Sequence, residues 1–333
     1  MLLQRHYNKV MFSKPNSGNT SNYILGINID SERTLLVYGN PSGLVSERLA
    51  FPSPSNESFA TFVSEVSSNA DRLLMITQAL RLPLPDVISV SVAGNYDSQT
   101  GVVSSSLEFF NWKSELLRSQ LELCFNLPVY AEKKADAGML AEILFGSHSE
   151  LNQAIYLTFS PHIRLSLLSE GMLYRNHGAT AGSLGRLILP FISGVSEKKQ
   201  TLNDLASGVG LLRFAQQLHP THWDADLNLQ TFLQSAIDND PYCLEVIDIA
   251  AGLVGKSLDS IVHILHPDTI IVGYPYHLLG ERWIKPMTDS LSKATGLGVG
   301  LLPRISPSTL GARQPELEAL APAIFALRSS RSN

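Results

Sequence analysis

The chain has 333 residues, more than one ordinary hydrophobic core spans, which predicts two domains of similar size. Hydrophobic residues make up 44% and charged residues 17%, the composition of an ordinary soluble globular protein. A formal net charge of −5 supplies no global positive field for nucleic acid or membrane, and two cysteines exclude a disulfide framework.

Those cysteines, Cys124 and Cys243, lie in apolar, helix-forming stretches and read as buried packing thiols in a reducing compartment. No uninterrupted apolar run reaches the roughly 18 residues of a membrane span. The N-terminus lacks the apolar core and small-residue cleavage site of a secretory signal, so a cytoplasmic protein is expected.

In chain order, residues 1–22 are polar and carry Arg5, Lys9 and Lys14; they read as a flexible, solvated tail. Segments 23–30, 34–40 and 44–52 read as three strands, and Pro52 and Pro54 break the run. A helix follows with Ser58 as its N-cap, then the β-branched run 86–94 as a buried central strand. The spacing predicts a helix over 113–125, a strand over 127–132 and an amphipathic helix over 135–146. Segments 154–159 and 164–173 pair as a hairpin around Ser160, Pro161 and His162. Beyond Leu202 the pattern is mostly helical, over 205–218, 231–238 and one long stretch 243–265. A buried strand at 268–274, a weaker one at 304–309 and a closing helix from Pro315 complete the chain. Strands followed by helices, given twice, predict two α/β domains. The expected division is 23–120 joined by the closing helix 315–330, and 121–314.

Several stretches carry specific punctuation: Val92-Ala93-Gly94 with Thr100-Gly101, Pro128-Val129-Tyr130-Ala131-Glu132, the hairpin 154–168 leading into Ala181-Gly182-Ser183-Leu184-Gly185, Leu205-Ala206-Ser207-Gly208, Thr269-Ile270-Ile271-Val272-Gly273 and Pro307-Ser308-Thr309-Leu310-Gly311. Together they resemble the ROK family of bacterial sugar kinases and sugar-responsive repressors, over roughly residues 23 to 328. The resemblance implies an α/β, two-domain actin- and hexokinase-like (ribonuclease H-like) fold. It also implies an interdomain cleft for the sugar and two glycine-rich turns for ATP phosphates.

The chemistry-bearing positions depart from that family's pattern. Its first phosphate turn, Asp-x-Gly-Gly-Thr-Lys, corresponds to Asn28-Ile29-Asp30-Ser31-Glu32-Arg33, which brings negative charge to a polyphosphate position. Its second, Gly-Thr-Gly-Ile-Gly-Gly-Gly, corresponds to Ser160-Pro161-His162-Ile163-Arg164-Leu165-Ser166, without a single glycine. The catalytic Glu-Asn-Asp-Ala-Asn is Glu132-Lys133-Lys134-Ala135-Asp136. Lys134 occupies the position of the base, and an ammonium with a reference pKa of about 10.4 has no lone pair to accept a proton. Asp136 reads as a helix-dipole or capping residue. The sugar-binding Glu becomes Ser183 and the zinc-binding His becomes Arg186. No cysteine occurs between Leu187 and Leu202, so the family's zinc site cannot be assembled. In the sugar-contacting loop, Glu108-Phe109-Phe110-Asn111-Trp112 keeps only the tryptophan. His162, His177, His263 and His266 lack metal-ligand spacing, and neither a metal nor another cofactor is expected.

Glu108, Glu132, Lys133, Lys134, Ser183 and Arg186 are therefore the ligand-binding candidates. Either the cations form a pocket for a sugar phosphate or sugar acid, or the opposite charges pair with one another. Three function classes follow: a non-catalytic sugar-sensing regulator of the repressor type, a residual ATP-dependent sugar kinase, or a dimeric interaction protein that binds no ligand. The 22 residues before the first strand are too few for a helix-turn-helix, which argues against direct DNA binding. A homodimer or another protein partner is the expected association.

Overall fold

The computed structural model describes residues 23–331 except 55, 105, 107, 110, 149–150, 176–179, 190–199 and 225; the expected tail 1–22, Phe110 and His177 lie outside the described residues. The described chain forms two compact units. The first takes the described residues of Met1–Glu150, Gly171–Ala181 and Ala312–Asn333; the second takes Leu151–Glu170 and Gly182–Gly311.

The first unit is built on a sheet in the order β3-β2-β1-β4-β8. Its strands are β1 (Ile24–Ile29), β2 (Arg33–Gly39), β3 (Val45–Pro52), β4 (Val87–Val92) and β8 (Val129–Lys133). β1 and β4 are central and buried on both faces, so neither alternates between apolar and charged. One face packs on α1 (Phe59–Ala79) and α2 (Leu117–Phe125), through Leu25, Ile27, Ile88 and Val90. Ser58 caps α1, its Oγ accepting the Thr61 N–H at 3.1 Å. The opposite face carries Ile24, Val37 and Val87 against Ala319, Leu320 and Ala323 of the closing helix (Gln314–Arg331). Gly26 permits that approach, because a Cβ there would lie 3.1 Å from the Ala319 Cβ. Pro322 interrupts the helix ladder, and the next N–H, from Ala323, donates to Ser89 Oγ at 3.1 Å.

A small sheet of β5 (Asn95–Asp97), β6 (Val102–Ser104) and β7 (Ser114–Glu115) follows β4. The expected helix over 113–125 starts late because Glu115 pairs with Val103 in that sheet. Its buried stripe is Leu117, Leu121 and half-buried Phe125, which turns Cys124 to the surface; Cys243 is buried. β8, expected at the start of a second domain, pairs parallel to β4. It runs directly into α3 (Lys134–Phe145).

In the second unit β9 (Ala154–Thr158) and β10 (Arg164–Ser169) form an antiparallel hairpin. The short strand β11 (Met172–Leu173) belongs to the first unit. β12 (Thr269–Val272) lies parallel to β9, and β13 (Arg304–Pro307) parallel to β12. Ile155, Leu157, Ile270 and Val272 form a core with the helices of this unit. The expected helix over 205–218 is two helices, α4 (Leu202–Ala206) and α5 (Gly208–Leu218), because Ser207 ends one and caps the next through Gly210 N–H. α6 spans Leu229–Ile237. The long stretch breaks at Leu258 into α7 (Pro241–Ser257) and α8 (Asp259–Leu265). Absent from the expectations is α9 (Glu281–Thr295), which buries Trp283, Ile284, Met287 and Leu291; the closing helix is α10. Among the described residues, no helix is long and apolar enough to cross a membrane.

Candidate functional site

Two groups of charged and polar residues occupy the positions singled out above, one in each unit. In the first unit they gather at the carboxyl ends of β1, β4 and β8. Lys133 ends β8 and stands at the N-cap of α3 with no side-chain cap, and Lys134 is the first helical residue. Two ammonium groups at a helix N-terminus oppose the macrodipole, so both require carboxylate partners. Lys133 Nζ lies 3.4 Å from Asp136 Oδ2, in the first turn of α3, and reaches the Ala181 carbonyl at 3.4 Å. Lys134, buried, forms an ion pair with Asp30 Oδ2.

Asp30 leaves β1 into the tight turn to β2. Its other oxygen, Oδ1, accepts the Ser31 backbone N–H at 2.7 Å and the Ser31 hydroxyl at 3.4 Å. One carboxylate thus takes a turn N–H on one side and an ammonium on the other. Asn28, two residues back, is buried and donates its amide to the Pro315 carbonyl at 2.9 Å and to Glu318 Oε2 at 3.3 Å. Glu318 also accepts from Gln314 at 2.8 Å.

Glu132 is mostly buried and accepts from Arg175 Nη2 at 2.6 Å through Oε1. Burial pushes its carboxyl above the ordinary value; the Arg175 guanidinium opposes that rise and the Asp136 charge adds to it. Arg175 was not among the expected site residues. Its only signal in the sequence was its place in the strand-like run ending at Tyr174-Arg175. Glu108 is buried near Gly94, where a Cβ would lie 3.6 Å from Glu108 Oε2.

In the second unit the hairpin turn between β9 and β10 holds Ser160, Pro161, His162 and Ile163. The Ser160–Pro161 peptide is cis. Pro161 has no N–H, the Ile163 N–H donates to Asn203 Oδ1 at 2.8 Å, and the Leu165 N–H donates to the Gly182 carbonyl at 2.8 Å. Two glycines fit closely against this turn. At Gly182, with φ +85°, a Cβ would fall 2.2 Å from the Leu165 carbonyl oxygen; at Gly185 it would fall 1.9 Å from Asn203 Oδ1. Arg164 Nη1 donates to Ser183 Oγ at 3.1 Å. Arg186 is exposed at the end of a single 3-10 turn. The structure therefore joins Asp30 with Lys134 and Ser183 with Arg164. Glu132 pairs with Arg175 and Lys133 with Asp136, rather than with the other candidates. No group of three or more His, Cys, Asp or Glu among the described residues could hold a metal ion.

The family model described as "ROK family" matches residues 59–277, about two thirds of the chain. The chain belongs to the ROK family. Within that family, the xylose repressor of Caldicellulosiruptor bescii is 24% identical over 217 residues, covering 62% of this chain and 54% of the repressor. The chain thus spans about half the length of that curated relative. A glucokinase from Streptomyces griseus, solved with glucose and AMPPNP, has a TM-score of 0.74 at 18% identity, covering 90% of this chain and 98% of that one. A ROK transcriptional regulator, a homologue of the E. coli MLC protein, has a TM-score of 0.77 at 15% identity over 95% of this chain and 82% of the regulator. The fold is the α/β actin-like, two-domain fold that ROK kinases and regulators share.

Proposed function

We propose that this ROK protein does not phosphorylate sugar and acts as a sugar-responsive regulatory protein. The observation that carries the reading is the Asp30 carboxylate, which accepts from the Ser31 N–H and pairs with the Lys134 ammonium. A kinase needs open backbone donors in this turn and a carboxylate at the position of Lys134. Here the turn donor is taken by a side chain of the same turn, and the position of the proton acceptor holds an amine already paired with Asp30. The β9–β10 turn adds support, because the N–H groups of Ile163 and Leu165 already have internal acceptors.

Regulation rather than chemistry then accounts for a ROK fold kept with its glycine contacts intact. The pairing of Lys133 and Lys134 with carboxylates supports the reading in which the charges are spent on one another. A coupled assay for ATP-dependent phosphorylation across hexoses and hexosamines tests the proposal. It predicts no turnover above the spontaneous rate, and turnover abolished by Lys134→Ala would contradict it.

A further inference from the structure

The charged groups described above lie at the carboxyl ends of the first unit's strands; a different surface lies at the amino ends. α1 and α2 pack on the same sheet face, and each runs back to the start of a strand, α1 to β4 and α2 to β8. β4 and β8 are parallel neighbours, with the Ile88 N–H donating to the Pro128 carbonyl at 2.9 Å. The last turns of both helices therefore gather at one end of the unit. There Met75, Leu80, Leu84 and Leu123 are exposed at 69%, 55%, 60% and 77%, and Ile76 is exposed with them. A single exposed leucine is ordinary, whereas several at one end of a unit mark a surface that something covers.

The chain itself arrives at this end. The Tyr23 carbonyl, just before β1, accepts the Asp86 N–H at 2.9 Å. Its ring stacks on Tyr38 at 4.9 Å, and the Tyr38 hydroxyl donates to the Pro83 carbonyl. Residues 1–22 thus join the fold beside the connection that carries Leu84. In their sequence Leu3, Tyr7, Val10 and Met11 recur at intervals of three and four. On a helical wheel they fall in a stripe about 100° wide with Arg5 and Lys9 opposite, while Leu2 and Phe12 fall outside it. The polar residues 13–22 reach up to about 33 Å, comparable with the length of α1, about 31 Å. A segment tethered so close is present at an effective concentration on the order of millimolar, which favours it over a second copy or a separate partner. The rim carries Asp71, Arg72, Arg81 and Asp86. Its charges cancel, so apolar contact rather than charge selects the occupant.

We infer that residues 3–11 of this chain seat their apolar stripe on the surface formed by Met75, Ile76, Leu80, Leu84 and Leu123. The inference is independent of the regulatory reading, whose residues lie at the other end of the sheet. Hydrogen–deuterium exchange of the full chain tests it. Amides of residues 4–11 are expected to exchange about tenfold or more slowly than an unstructured chain, equally in dilute and concentrated protein. Tyr7→Asp with Val10→Asp, and separately Leu80→Glu with Leu84→Glu, are each expected to return them to the unstructured rate. Leu80 and Leu84 are exposed, so the amides of β1 and β4 are expected to stay protected in the second pair. Should those amides exchange, the Tyr7→Asp and Val10→Asp pair alone decides, because it leaves the folded surface intact. Unstructured exchange of residues 4–11 in the wild type, or protection unchanged by Tyr7→Asp with Val10→Asp, would overturn the inference. Protection surviving Leu80→Glu with Leu84→Glu in a folded unit would do the same. Protection that grows with protein concentration would also overturn it, assigning the surface to a second copy.

Discussion

Asp30 and Lys134 stand 104 residues apart in the chain and form an ion pair in the first unit. Both side chains are largely buried, at 15% and 7% exposure. Desolvation makes such a pair of little net value, but removing one partner strands the other. Lys134→Met is therefore expected to destabilise by about 3 kcal/mol. The double variant with Asp30→Asn should cost less than the sum of the two single changes. Urea denaturation of the four proteins in a double-mutant cycle measures this coupling, and strict additivity would deny it.

Asn28→Asp would restore the carboxylate found in the family's phosphate turn, yet it is expected to destabilise. The amide donates to Glu318, which is buried, and a second carboxylate would replace that donor by a like charge. A loss of about 2 kcal/mol at neutral pH is expected, easing as the pH falls and the pair takes up a proton. Denaturation midpoints at neutral and acid pH, with Asn28→Ser as the uncharged comparison, read this out.

Glu132 gives a pH dependence of definite sign. Its folded carboxyl lies above the ordinary 4.5 because burial disfavours the charge. Between that value and its raised one, the folded protein holds more protons than the unfolded chain, so stability falls as pH rises through the window. Glu132→Gln lacks this term. The stability of wild type relative to Glu132→Gln should decline as pH is raised from 4.5, and an opposite slope in paired urea titrations would reject the assignment.

His277, in the 3-10 turn Tyr276–Leu279, acts in the other direction. It is buried beside the Gly311 carbonyl at 3.2 Å, and burial holds its imidazole below the ordinary 6.5. Below 6.5 the unfolded chain takes up the proton first, so the folded state loses stability as pH falls toward the depressed value. His277→Gln should flatten that limb, which thermal melts across acid pH will show.

Gly182→Ala tests the packing around the β9–β10 turn. The position has φ +85°, and a Cβ would meet the Leu165 carbonyl oxygen at 2.2 Å. A cost of about 2 kcal/mol or more is expected, measured as a lowered thermal midpoint.

Much of this arrangement was legible in the sequence, for physical reasons that can be named. β4 announced itself because a strand buried on both faces needs β-branched residues throughout, and Ser58 because its capping oxygen precedes an apolar stripe of period 3.6. α9 was hidden by Pro286 in its first turns, although Trp283, Ile284, Met287 and Leu291 keep helical spacing. The breaks at Ser207 and Leu258 fell in runs whose apolar period continued across them. At the site, the loss of glycines and the arrival of Lys134 could be read directly. The partners could not. Asp30 meets Lys134, and Arg175 meets Glu132, only because residues far apart in the chain, at the ends of β1 and β8 and just after β11, converge in three dimensions. Charge alone did not select Asp30 over Glu32, or Arg175 over Arg186.

Titration of MgATP into the wild-type protein by calorimetry addresses the central claim at its root: the Ser31 N–H and the Lys134 ammonium are already committed to Asp30. No heat of binding at millimolar nucleotide is the predicted result. Saturable, magnesium-dependent binding with one nucleotide per chain would contradict it.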